Sequence, residues 1–138
     1  MSPQDEFNEL SYYTLSHNGD GYFIHQLAVD AFQAQTATAE TKSIGLAFGL
    51  IGLYLFLEKG YTGRQVQLAH VKLSQNKKPW PRLPLPGERG EITVSDVLAA
   101  EPGSARDECI KAWCLSVWKA YHTWHDAIAS FCQAELKV

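Results

Sequence analysis

The chain has 138 residues, a net charge of −3, 46% apolar and 20% charged residues, a mass of 15.4 kDa and a pI near 5.9. That balance excludes a wholly disordered chain and predicts one ordinary domain over residues 1–138, in which area scaling removes about two thirds of the extended surface from water. The acidic balance, with no dense Lys/Arg run, also argues against a nucleic-acid partner, because phosphate contacts need clustered cations.

Apolar residues recur at helical spacing almost everywhere and strand alternation is scarce. The expected class is all-α, a compact bundle of four to five main helices with one short extra helix and a proline-rich loop over 76–92. The opening "MSPQDEFNEL" carries acids where a signal peptide would carry cations ahead of an apolar run, so no export is expected. Ser2 followed by Pro3 predicts the start of the first helix, with Asp5 and Glu6 favoured by its N-terminal dipole. "HNGDG" (17–21) predicts its end, and is not a GxGxxG.

A second helix is expected over 22–35, with Ile24, Ala28, Ala31 and Gln35 along one line. Asp30 is its only charged residue. The third, 43–60, holds fourteen uncharged, almost wholly apolar residues from Ile44 to Leu57. A bilayer span needs about twenty, so no membrane partner is expected and this helix should lie buried in the bundle. Gly45, Gly49 and Gly52 each cost about 1 kcal/mol of helix propensity relative to alanine, which implies close approach of a neighbouring backbone, or else a ligand groove. Gly60 predicts the C-cap.

A fourth helix is expected over 62–75, opening at Thr62 and carrying His70 as a partly exposed structural histidine. "PWPRLPLPGERG" holds four of the six prolines and predicts a rigid arm across the bundle with Trp80, Leu83 and Leu85 packing down. "TVSDVLAAEPG" (93–103) predicts a short helix capped by Thr93 with Asp96 in the first turn. One long final helix is expected from Ala105 to Leu136, its seam running through Ile110, Trp113, Val117, Tyr121, Trp124, Ile128 and Phe131.

The order "SYYTLSH", "FIHQLAVDAFQAQ", "IGLYLFLEKGYTGRQVQ", "GEITVSDVLAAEPG" and a Trp-rich helix with histidine resembles an uncharacterised bacterial family defined only as a domain of unknown function, over about residues 10–132. The resemblance implies a small, cytoplasmic, helical protein and brings no assigned activity. Some members of that family begin with a cysteine pair suited to zinc, whereas this chain has no cysteine before Cys109.

The candidate site is histidine-based. His122 and His125 stand three positions apart in "YHTWHDAI" and could meet one ion from a helix face. His25 is the best third ligand from another helix, with Asp126 as a supporting carboxylate; Asp30 lies about 140° around the second helix from His25. Three histidines with an open position would favour zinc or another divalent ion polarising a bound water. No HxxxH, HExxH or Glu-x-x-His motif accompanies them. Cys109, Cys114 and Cys132 form no CxxC, fit a reducing cytoplasm, and read as core residues rather than nucleophiles. Two functions follow. One is a cytoplasmic helical binding or interaction module, as a homodimer through exposed aromatic surface around Trp80 and Tyr61, with its small-molecule ligand unspecified. The other is a metal-dependent bundle protein, a hydrolase or transferase, built on the three histidines.

Overall fold

The computed structural model describes residues 2–16 and 24–138. Among these, helices α1 (Pro3–Ser16), α2 (Ile24–Gln35), α3 (Ser43–Lys59), α4 (Gly63–Leu73), α5 (Val94–Ala99), α6 (Ser104–Ala120) and α7 (His125–Leu136) form the bundle without any strand. The "HNGDG" turn expected after the first helix lies outside the described residues.

Local chemistry sets most boundaries. At α1, Asp5 N–H donates to Ser2 Oγ at 3.1 Å while the Asp5 carboxylate accepts from Ser2 N–H at 3.1 Å. At α4, Gln65 N–H donates to Thr62 Oγ1 (3.2 Å) and Thr62 N–H to Gln65 Oε1 (2.8 Å), a reciprocal box that satisfies two donors of the first turn. Thr93 N–H donates to Asp96 Oδ2 at 2.9 Å where α5 begins. α3 ends at Gly60, whose φ of 71° is the left-handed cap.

α3 is buried from Leu46 to Leu55 with the exception of half-buried Phe48, and no described helix is long and apolar enough to cross a membrane. It packs most extensively along α2. The glycine stripe makes that approach possible. A Cβ on Gly49 would stand 3.0 Å from the Asp30 carbonyl oxygen, one on Gly45 2.7 Å from Gln33 Nε2, and one on Gly52 would overlap the Asp30 carboxylate.

The long final helix is not continuous. α6 stops at Ala120, a 3-10 turn spans His122–Trp124, and α7 starts at His125. Tyr121 leaves helical geometry at φ −90°, ψ 28°. Tertiary bonds favour the break: the buried Tyr121 hydroxyl donates to Ala34 O of α2 at 2.6 Å, and Trp124 Nε1 donates to Pro84 O of the proline-rich arm at 3.0 Å. Trp113, Tyr121 and Trp124 are 0%, 0% and 1% exposed. Burying an aromatic side chain removes about 150–250 Å² from water, roughly 4–6 kcal/mol each.

The arm is laid across the bundle as expected, with one difference. Trp80 meets Phe48 edge-on at 5.3 Å and Phe131 at 5.2 Å, and Leu85 packs on the core, but Leu83 is 36% exposed. Trp80 is therefore half-buried against the core, with part of its surface left to solvent.

Candidate functional site

The two C-terminal histidines separate in role at the helix break. His125 Nε2 donates to Trp118 O at 2.8 Å, and its ring stacks on the Trp118 indole at 3.8 Å. Because a carbonyl only accepts, Nε2 carries the hydrogen. Trp118 O, in the last turn of α6, also accepts from Tyr121 N–H at 3.1 Å, so His125 adds a second donor to that carbonyl and ties α7 to the end of α6. His122 is exposed on the 3-10 turn, and Asp126 is exposed in the first turn of α7.

His25 faces α1. Its Nδ1 pairs with Thr14 Oγ1 at 2.9 Å, and the Thr14 hydroxyl donates to Ser11 O at 3.1 Å, which leaves the shared hydrogen on Nδ1. Burial lowers its pKa. Among the described residues no group of three or more His, Cys, Asp or Glu side chains is placed to hold a metal ion. His25, His122 and His125, with Asp126 beside them, are not gathered into the zinc-type site that their spacing suggests. The physical reason is local: His125 is turned inward and bonded to the end of α6, while His25 is bonded to α1.

His70 is buried rather than partly exposed. Its Nε2 donates to Phe48 O at 2.9 Å, the ring stacks on Phe48, and burial pushes its pKa down to about 4. Burial raises the pKa of all three cysteines, Cys132 to about 12, so the thiolate is scarce at neutral pH.

Asp30 is the polar anomaly of the core. It is 1% exposed; Oδ1 accepts from Gln26 Nε2 at 3.0 Å, while Oδ2 has no hydrogen-bond partner among the described residues and sits against Gly52. Burial holds its carboxyl well above the usual carboxylate range.

Two concavities lie beside the arm. The first, about 420 Å³, is bounded by residues 81–85 of the arm on one side and by the α2–α3 connection and the start of α3 on the other. Leu46 (6% exposed) and Trp124 (1% exposed) form its apolar floor. Its walls are fixed by hydrogen bonds. Trp124 holds Pro84 O, and Arg82 Nη1 donates to Ser43 Oγ at 2.9 Å. The second, about 720 Å³, is a trough along α6 between Ile92 and Leu115, with His122 at one lip. Leu115 is 40% exposed, so this larger trough has ordinary surface for much of its floor. The first is the better ligand site, since a buried apolar floor and preset walls lower the ordering cost of binding.

Sequence reasoning misses the residues that build this cleft. By pattern Arg82 is one cation in a solvated loop, and Trp124 is one position of an unbroken seam. Gln35 and Arg89 hold the base of the arm. Gln35 Nε2 donates to Ile92 O (2.7 Å), its Oε1 accepts from Trp113 Nε1 (2.9 Å), and Arg89 donates to Pro86 O (3.1 Å) and to Ala37 O. The available signal is the concentration of prolines, whose carbonyls need donors from elsewhere.

Neither a curated protein nor a solved structure matches this chain. One family model does, over residues 4–122, and the chain belongs to that family, the family of unknown function DUF5946.

Proposed function

We propose that the chain is a binding module whose ligand occupies the cleft between the proline-rich arm and the start of α3. One observation carries this reading: the arm is tied down on both sides of the cleft by side-chain donors, yet a concavity of about 420 Å³ with a buried Trp124 and Leu46 floor persists between the ties. Apolar concavities with a few convergent polar groups are the ordinary form of small-molecule sites. The three free thiols support a reducing, cytoplasmic setting.

Amide chemical-shift mapping with a library of small soluble molecules tests the reading. Hits should perturb Thr41–Leu46, Arg82–Leu85 and the Trp124 indole together. Hits that leave those signals in place and move others would remove it.

A second reading, self-association, is favoured by one face of α4, where Leu68 (60% exposed) and Val71 (54% exposed) stand three residues apart on the same side. Light scattering coupled to size exclusion, on wild type and Leu68→Lys, tests that separately. A strict monomer would discard it.

A further inference from the structure

Resting on the cleft as the ligand site, we infer that its ligand is a small anion with an apolar body, most simply a monocarboxylate. Arg82 is the only charged residue among those lining the cleft. A guanidinium has five N–H donors. Arg82 uses Nη1 toward Ser43 Oγ at 2.9 Å and Nη2 toward Ala39 O at 3.5 Å, and it enters no ion pair among the described residues. The nearest acid in sequence to the opposite wall, Glu40, accepts from Thr38 Oγ1 at 3.1 Å and is not part of the lining.

The remaining donors of Arg82 face a planar acceptor best, because a guanidinium fork matches two carboxylate oxygens at once. Thr41 adds a hydroxyl at the same rim. Its Oγ1 accepts from Thr38 N–H at 2.9 Å, which leaves its own hydrogen to donate. Leu46, Leu85 and Trp124 offer no polar side-chain group to the interior except the Trp124 N–H, which is already given to Pro84 O. The cleft therefore has one cationic end and one apolar end. Arg82 is exposed, so this cationic end lies at the mouth of the cleft: an anion gains a pair there, a neutral ligand gains none, and an amine would be repelled.

The test compares three probes of one tail length, octanoate, octanol and octylamine, each below its micellar concentration, by titration calorimetry and by Trp fluorescence on wild type, Arg82→Gln and Lys119→Gln. Octanoate should bind saturably and up to about fivefold tighter than octanol, the range expected of one exposed charge pair. Octylamine should show no saturable binding. Arg82→Gln should bring octanoate to the level of octanol, while Lys119→Gln, which alters the second trough, should change nothing. Equal affinity for octanoate and octanol, or an unaltered Arg82→Gln, overturns the anion assignment and leaves the cleft standing. Loss of octanoate binding in Lys119→Gln alone places the site in the trough and overturns both readings, as does the absence of saturable binding by all three probes.

Discussion

Replacing Asp30 by asparagine should change how stability depends on pH, more diagnostically than how large it is. The side chain is 1% exposed, its Oδ2 has no hydrogen-bond partner among the described residues and sits against Gly52, and burial holds its carboxyl well above the ordinary value of 3.8. Below pH 3.8 the folded and unfolded chains both carry the proton, and Asp30 adds no pH dependence. Above it the unfolded chain releases the proton while the folded chain keeps it. Stability then falls by about 1.4 kcal/mol per pH unit until the folded carboxyl also ionises. Asparagine has the same shape and cannot titrate. Its Oδ1 can keep the Gln26 bond, which places the amide NH₂ against Gly52 at a pH-independent cost of about 1–3 kcal/mol for a buried unmatched donor.

The quantity to measure is therefore the difference between Asp30→Asn and wild type at about pH 4, 5, 6 and 7, from urea unfolding followed by Trp fluorescence. It should move in favour of the asparagine variant by about 1.4 kcal/mol for each unit at first and then level off. A difference that is flat over the range would refute the reasoning, since it would mean that Asp30 ionises in the folded chain as easily as in water.

His70 should act in the opposite sense: its folded pKa of about 4 lies below the ordinary value of 6.5, so its contribution is full above pH 6.5 and is lost as pH falls to 4. The loss is about 3 kcal/mol in all, and His70→Gln should remove it from the same urea series. Gly52→Ala should destabilise by about 3 kcal/mol or more because the new methyl overlaps the Asp30 carboxylate; in a double-mutant cycle Asp30→Ala should recover much of that loss, and strict additivity would contradict the contact. His125→Ala should cost about 1–2 kcal/mol through the lost second hydrogen bond to Trp118 O, which keeps Tyr121 N–H, and the lost stack. That cost should be the same with and without EDTA; a chelator-dependent melting temperature in wild type alone would speak for a metal instead. Trp124→Phe keeps most of the buried area but removes the bond to Pro84 O, so amide exchange at Arg82, Leu83 and Leu85 should quicken while α2 and α3 stay protected.

The parts of the fold that are legible in sequence are those decided within four residues. Ser2 with Asp5, Thr62 with Gln65, Thr93 with Asp96 and the left-handed Gly60 each place a helix end by short-range bonding. The glycine stripe of α3 is legible for a related reason, since three unfavourable residues on one helix imply a neighbour that needs the room. The helix break at Tyr121 is not legible, because Tyr121, Trp124 and Ile128 keep helical spacing straight through it. Its cause lies 87 residues away at Ala34 and 40 away at Pro84. The same break turns His125 from a prospective ligand into a tie between α7 and the end of α6, so an error in one helix carries directly into the site.

The arm shows why the cleft could not be read from pattern either. Prolines lack the backbone N–H, so a segment dense in them presents carbonyls that no neighbouring strand or helical turn can match. In this chain the donors come from side chains of distant elements and of the arm itself: Trp124 to Pro84 O, Arg89 to Pro86 O, and Gln35 to Ile92 O. Each is a point attachment, and between such points the arm has no means of closing onto the helices as a strand or a helix would. A concavity with fixed walls is the consequence of holding a proline-rich segment this way, and weakening one attachment should loosen the wall it fixes without unfolding the bundle beneath it.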